Sequence, residues 1–203
     1  MKDFQKKFPG SIGKVAVGFM SPLGDNAIKN PSYRQVCSGT TSHVEVLEVE
    51  LLDPDKHYEE LIKFFFMFHG TVTTFVCCSI IIVVVCFEII YLTHKLTPNN
   101  ASLKYTDPTT KDRQGNDAGT QYASWIFCSD NEQIQIANKV KTELQQFVTA
   151  GKISSYSGKT VSTDIGPTYE FYPAQAEHQE YLDKNPSGYC NHRIRFNKWP
   201  ADA

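Results

Sequence analysis

A chain of 203 residues is long enough to form one domain with a buried core. Its 20 basic and 22 acidic residues leave a formal net charge of −2, which excludes a strongly basic nucleic-acid-binding protein and favours no acidic partner. The six cysteines form no Cys-x-x-Cys pair and follow no signal peptide, which excludes a secreted disulfide framework and indicates reduced thiols. We therefore expect a cytoplasmic protein without a metal site.

Hydrophobic periodicity and turn residues predict both helices and strands along the chain. The clearest helix follows Ser129, which forms a capping-box pattern with Glu132, and it ends at Gly151. Such a mixture predicts an α/β or α+β class, with a mixed central sheet flanked by helices in a single domain. The other predicted elements, in chain order, are helix 2–8, strand 14–19, strand 43–52, helix 53–68, strand 122–127, strands 162–165 and 169–172, and helix 174–183.

The strand near residue 45 carries a carboxylate on its apolar face. Glu45 shares a face with Leu47 and Val49, whereas Glu48 points to the other side. Burial favours the protonated form of a carboxyl group, which could then donate a proton near neutral pH. A one-residue bulge after Val46 would instead place Glu45 at the rim of the core, and the strand pattern alone leaves both interpretations open.

An apolar run begins at Phe75 and ends at Leu92, and only Ser79 and Glu88 interrupt it. Its length is sufficient for a helix that spans a bilayer, which predicts membrane contact through this run. A single-pass membrane protein is therefore the alternative to a cytoplasmic one. A buried, β-rich core segment has the same composition, and the local sequence does not separate the two interpretations.

Residues 114–122 crowd turn formers, a carboxylate and a phenol into one short polar run. Gly115 and Gly119 allow backbone angles that other residues avoid, so the segment can turn tightly. Such a turn can present Asp117 and Tyr122 inward. The composition is typical of a binding or catalytic site, not of a core.

Several segments follow the order of motifs found in one enzyme family. They are the run 114–122, the decapeptide Asn-Pro-Ser-Tyr-Arg-Gln-Val-Cys-Ser-Gly at 30–39 with His-Val-Glu at 43–45, and the C-terminal segments 163–165, 171–174, 177–182 and 184–190. These motifs resemble those of the A-type peptide methionine sulfoxide reductases, which reduce the S epimer of methionine sulfoxide. Since they occur in the family's order along most of 2–68 and 107–190, the chain is identified as a member of this family.

The resemblance implies a role for each matching residue. In the family a thiolate attacks the sulfoxide sulfur of free or peptide-bound methionine sulfoxide, while an acid and two phenols hold the oxygen. By motif match, Glu45 is the acid, Tyr33 and Tyr122 are the donors, and Asp117 orders the site and its water. Cys190 matches the resolving cysteine, whose disulfide is reduced by thioredoxin during the repair of oxidative damage. No bound cofactor is implied.

The family's nucleophile is absent from this sequence. It lies in a Gly-Cys-Phe-Trp-Gly motif at the end of a first strand, and no such motif occurs in the 203 residues. Cys37 matches a non-catalytic family position and Cys128 lies on a predicted strand, so neither is a natural substitute. We therefore expect a missing first strand, an unpaired sheet edge and no reductase activity at ordinary family rates. The alternatives are a module that binds methionine sulfoxide without turnover, and a membrane-tethered or unstable fragment.

The segment 70–106 has no counterpart in the family motifs. Its removal would join Phe68 and His69 to Asp107 and restore a His-Asp-Pro-Thr sequence typical of the family. We interpret the segment as a helix-like apolar insertion, with a translated intron as the hypothesis for its origin. The predicted division is a first part of the reductase-like domain at 1–69, the insertion at 70–106, a second part at 107–192 and a tail at 193–203.

Overall fold

Seven strands of the computed structural model form one mixed sheet, and helices pack against it. The structure describes residues 2–68, 74–77, 81–83, 107–114, 117–185 and 194–202. The helices are α1 (Lys2–Lys7), α2 (Tyr33–Cys37), α3 (Pro54–Met67), α4 (Asn131–Thr149) and α5 (Tyr181–Lys184), and short 3-10 helices span Gly24–Asn26 and Thr120–Tyr122. The strands are β1 (Ile12–Met20), β2 (Val44–Leu51), β3 (Thr74–Cys77), β4 (Ile81–Val83), β5 (Arg113–Gln114), β6 (Asp117–Ala118), β7 (Trp125–Cys128), β8 (Asp164–Pro167) and β9 (Tyr172–Pro173).

The sheet has the strand order β8–β7–β3–β2–β1–β9, with β4 paired to β3. Strand β1 is antiparallel to β2 and places Phe19 opposite Glu45. The next three pairs, β2 with β3, β3 with β7 and β7 with β8, are parallel. The predicted mixed sheet with flanking helices is confirmed. Strands β5 and β6 form a separate two-stranded ladder.

One cluster of buried apolar side chains joins the sheet to the helices. Helix α4 buries Ala137, Val140 and Leu144 at the spacing of a single helical face, as its pattern predicts. Phe4 of α1 packs edge-on against Phe64 of α3, with ring centroids 5.0 Å apart. The core therefore lies where α1, α3 and α4 cover the sheet.

Several predicted boundaries differ from the structure. The strands expected over 162–165 and 169–172 lie at Asp164–Pro167 and Tyr172–Pro173. The strand expected over 122–127 begins at Trp125, and Tyr122 instead closes the 3-10 helix after Gly119. The helix expected over 174–183 is reduced to α5. Residues before it form turns, and Glu180 has a φ of 54°, a left-handed angle that interrupts a helix.

The segment 70–106 contributes strands β3 and β4 to the sheet. Strand β3 lies between β2 and β7, with Phe75 opposite Leu47 and Thr74 opposite Trp125. The expected helix-like conformation is therefore wrong for 74–77 and 81–83, because their β-branched and aromatic residues suit an extended backbone. Strand β3 pairs with one edge of β2, and the expected missing first strand and unpaired edge stay predictions. The rest of the segment, with most of the apolar run, lies outside the described residues.

No helix within the described parts of the chain combines the length and the apolar character that a membrane crossing requires.

A buried ion pair fastens the C-terminal residues 194–202 to the domain. The Arg195 guanidinium lies 3.3 Å from the Asp107 carboxylate, and the two side chains are 7% and 0% exposed. Arg195 also donates to the backbone oxygen of Ser155 at 2.7 Å. Asp107 accepts further hydrogen bonds from Thr109 and Ser157. Burial opposes ionisation of Asp107, but these hydrogen bonds outweigh it and hold its pKa below the ordinary value.

We expect Val76→Pro to destabilise the fold, because Val76 pairs with β2 on one side and β4 on the other. Proline removes a ladder N–H and cannot be accommodated in a central strand. The loss should be about 1–3 kcal/mol in the free energy of unfolding, measured by urea titration. Val76→Thr keeps the N–H and the branched side chain and is the matched control. Equal stability of the proline variant would contradict a central position for β3.

Replacing Arg195 by methionine should lower the free energy of unfolding by about 3–5 kcal/mol, because Asp107 would lose its buried counter-charge. Lys29→Met removes the exposed pair with Glu170 and should cost at most about 1 kcal/mol.

Because the pKa of Asp107 is lowered on folding, the ionised carboxylate contributes to the free energy of unfolding above its unfolded pKa of about 3.9. That contribution should decrease as the pH falls through the lower folded value. We expect the difference in the free energy of unfolding between the parent chain and Asp107→Asn to be smaller at pH 3 than at pH 7. An equal difference at the two pH values would contradict this assignment.

Candidate functional site

Helix α2 presents Tyr33 and Cys37 on one face. Ser32 caps the helix and exchanges hydrogen bonds with Gln35 in a capping box. Residues four apart lie one above the other on a helix, so the Tyr33 phenol and the Cys37 thiol are neighbours. Both side chains are partly buried.

Glu45 enters the same region from β2. Its side chain is 7% exposed, so the expectation that it faces the buried side is confirmed and the alternative rim position is wrong. The physical reason is the ladder with β1, which is continuous from Val15 opposite Val49 to Met20 opposite Val44. No bulge after Val46 turns the carboxylate outward.

A glutamine joins α2 to the turn that carries Tyr122. The Nε2 of Gln121 donates to the backbone oxygen of Cys37 at 3.2 Å, and the Gln121 side chain is buried. Gly39 and Gly119 enclose its amide, and both have φ angles in the left-handed region, 70° and 145°. A Cβ atom at Gly119 would collide with the Gln121 amide. Glycine is thus required at position 119 by close packing as well as by the backbone angle.

Tyr33 and Cys37 share a face of α2, and the charges of Glu45 and Tyr122 also act on Tyr33. Burial raises the pKa of Tyr33, and its hydrogen bond with Cys37 and the charges of Glu45 and Tyr122 raise it further. Burial also raises the pKa of the Cys37 thiol; Tyr33 opposes this effect, and the charge of Glu45 adds to it. At neutral pH the Tyr33 phenol and the Cys37 thiol therefore keep their protons, beside the carboxyl group of Glu45.

His178 is a site residue to which no role was assigned from the sequence. Its ring stacks on Tyr33, with centroids 4.7 Å apart and planes 28° from parallel. Burial lowers its pKa, which favours the neutral imidazole. Its neighbour Gln179 bonds both backbone groups of Val17 on β1, at 2.9 and 2.8 Å. The motif at 177–182 could have indicated His178 from the sequence, but a motif does not show that its ring stacks on the ring of Tyr33.

Glu45 and Tyr122 lie near enough to Tyr33 for their charges to raise its pKa. The roles predicted for these three residues stay predictions. Asp117 lies on β6, paired with Gln114 at the start of the same run, and its role stays a prediction. Cys190 lies outside the described residues.

Two further observations concern reactive groups. Cys128 on β7 is fully buried against the Tyr58 hydroxyl at 3.3 Å, and burial raises its pKa to about 12, so this thiol is inert. Across the described ranges, no group of three or more His, Cys, Asp and Glu side chains could hold a metal ion.

Fold and site together define an α/β protein in which a buried carboxyl group lies near two phenols. The chain matches the family model "Peptide methionine sulfoxide reductase" over residues 1–75 and 98–201, and it belongs to this family. The predicted membership is confirmed. The unmatched residues 76–97 fall within the segment predicted as an insertion.

Individual relatives agree with the family model. The chain is 32% identical over 189 residues to a probable peptide methionine sulfoxide reductase of Schizosaccharomyces pombe, covering 92% of the chain and 83% of the relative. It is 36% identical over 167 residues to peptide methionine sulfoxide reductase MsrA of Salinispora arenicola, covering 80% of the chain but 56% of that protein. The crystal structure of reduced Mxr1 from Saccharomyces cerevisiae aligns with a TM-score of 0.64 and 28% identity, over 95% of the chain and 83% of Mxr1.

Glu45→Gln should lower the pKa of the Cys37 thiol, because it removes a negative charge that raises that pKa. More of the thiol is then ionised at a given pH, so alkylation of Cys37 by iodoacetamide should become faster near pH 8. The rate at Cys37 is read by peptide mass mapping. Glu48→Gln, on the opposite face of β2, is the matched control and should leave the rate unchanged. An unaltered alkylation profile in Glu45→Gln would contradict the proximity of these two groups.

Proposed function

We propose that this chain binds methionine S-sulfoxide, free or within peptides, in the pocket of Tyr33, Glu45 and Tyr122. The observation that carries the proposal is the convergence of two phenols and one buried carboxyl group from α2, β2 and the 3-10 helix Thr120–Tyr122. Membership of the reductase family supports the same substrate class. The biological context would be the repair of oxidised methionine.

The chemistry of the pocket suits a sulfoxide oxygen. That oxygen is a strong acceptor and gains negative charge as its bond to sulfur weakens, so preorganised donors stabilise it. Tyr33 remains a donor at all ordinary pH values because its pKa is raised, first by burial. Glu45 would share or donate the proton that a departing oxygen needs. His178, stacked on Tyr33, holds the phenol ring in place.

The remaining family roles complete the proposal. Asp117 would order the loop and its water, Cys190 would resolve the oxidised intermediate, and thioredoxin would be the external reductant. In the family the cycle begins at the cysteine of the Gly-Cys-Phe-Trp-Gly motif, which these 203 residues do not contain. We therefore expect substrate binding by this chain without thioredoxin-linked turnover at family rates.

Tyr33→Phe and Tyr122→Phe should each weaken binding of a methionine S-sulfoxide peptide about fivefold, because each removes one hydrogen bond worth about 1 kcal/mol. Isothermal titration calorimetry measures the affinity, and the R epimer and the unoxidised peptide are the ligand controls. Tyr169→Phe changes an exposed phenol outside the pocket and should bind like the parent chain.

The same preparations separate binding from turnover. Incubation with the sulfoxide peptide, thioredoxin, thioredoxin reductase and NADPH should give no steady-state consumption of NADPH at family rates. Multiple rapid turnovers would contradict the expected lack of activity. Failure to distinguish the sulfoxide from the unoxidised peptide would contradict the binding function itself.

A further inference from the structure

The pocket contains a thiol, that of Cys37, for which the family roles provide no function. The Tyr33 hydroxyl is its hydrogen-bond partner, and the charge of Glu45 acts on both groups. Cys37 is partly exposed, whereas Cys128, which is also hydrogen-bonded to a tyrosine hydroxyl, is fully buried.

Two residues that contact α2 each carry a buried polar atom without a hydrogen-bond partner among the described residues. One atom is Oε1 of Gln121, whose Nε2 already donates to the backbone oxygen of Cys37, and Gln121 is 5% exposed. The other is Nδ1 of His178, whose ring stacks on Tyr33 and which is also 5% exposed. An unsatisfied buried polar atom costs about 1–3 kcal/mol. Two such atoms on residues that contact Cys37 and Tyr33 indicate a place that a polar ligand completes.

We propose that Cys37 is the nucleophile of a slow reduction of methionine S-sulfoxide by this chain. The inference rests on the proposed binding function and adds a reacting group to it. Tyr33 and Cys37 lie one turn apart on α2, and Gln121, the neighbour of Tyr122, donates to the backbone oxygen of Cys37. A sulfoxide whose oxygen is held by Tyr33, Tyr122 and Glu45 therefore has its sulfur near Cys37, the one thiol that the described residues bring to this cluster. Proximity of this kind supplies a large part of the rate of any bound reaction.

The reaction balances without a bound cofactor. The Cys37 sulfur forms a bond to the sulfoxide sulfur, and the thiol proton passes through the Glu45 carboxylate to the sulfoxide oxygen. The substrate's sulfur–oxygen bond then breaks and releases hydroxide, which attacks the Cys37 sulfur. The new sulfur–sulfur bond breaks in that step, methionine leaves as the thioether, and Cys37 becomes a sulfenic acid. Methionine sulfoxide is thereby reduced by two electrons and Cys37 is oxidised by two. Two equivalents of a small thiol then restore Cys37, yielding one disulfide and one water.

The surroundings of Cys37 explain why this reaction is slow. Burial and the charge of Glu45 raise the pKa of the thiol, so that little thiolate exists at neutral pH. Cys37 is also the last residue of α2, and the partial negative charge at a helix C-terminus does not stabilise a thiolate. The first step should therefore become faster with increasing pH above neutrality.

The test is a single turnover of the unmodified chain, reduced and freed of reductant, with N-acetyl-methionine S-sulfoxide. Chromatography measures the thioether formed, and dimedone, which reacts with sulfenic acids, labels the oxidised cysteine for peptide mapping. We expect up to one equivalent of thioether per chain, with the label or a new disulfide at Cys37. The R epimer should give neither product. Oxidation mapped to another cysteine, or to none, would overturn the proposal.

Two variants separate this inference from the binding function. Cys37→Ser should bind the sulfoxide peptide but form no thioether, whereas a chain in which Cys37 is the sole cysteine should still form it. If the parent chain binds the sulfoxide and yields no thioether, the role of Cys37 is wrong and the binding function stands. If the parent chain does not bind the sulfoxide, both are wrong. Peptide mapping on the parent chain decides the outcome even where a variant does not fold.

Discussion

The pairing of β2 along both of its edges is the constraint on which the site depends. On one edge β1 holds Phe19 opposite Glu45, and on the other β3 pairs with Leu47 and its neighbour. Side chains alternate along a strand, so a slip of one residue would turn Glu45 to the opposite face. The ring of Phe19 then meets that of Tyr33 at 6.2 Å, so the same register also positions α2.

The carboxyl group of Glu45 sets the electrostatic character of the pocket. Its charge disfavours ionisation of both Tyr33 and Cys37, whose pKa values burial has already raised. The pocket is therefore a set of protonated donors around one acid, which suits an oxygen acceptor better than it suits a thiolate nucleophile. This arrangement supports the proposed binding of a sulfoxide without rapid turnover. In the proposed reaction the acid has a second use, since it accepts the proton that Cys37 must lose.

The inserted segment shows how one composition can suit different environments. A run of Val, Ile and Phe is stable in a bilayer and equally in the centre of a sheet, because both exclude water. Local sequence could not separate these environments, and the junction at Asp107 suggested a segment that could be removed. In the fold, β3 covers backbone groups of β2 and β7 that would otherwise face solvent. Residues 74–77 and 81–83 of the segment are therefore part of the sheet, although the family model does not match residues 76–97.

The sequence by itself determined the family, the mixed class, the apolar face of α4, and Tyr33, Glu45 and Tyr122 as candidates, because each depends on a short motif or a local period. The predicted cap of α4 is wrong, since the Asp130 side chain accepts a hydrogen bond from the Gln133 backbone and Ser129 lies one residue before the cap. Only the tertiary structure decided the neighbours of Cys37, the stacking of His178 on Tyr33 and the place of β3 between β2 and β7. These features join residues that are far apart in the chain. Periodicity records which face of an element is apolar, whereas packing and strand register decide what that face meets.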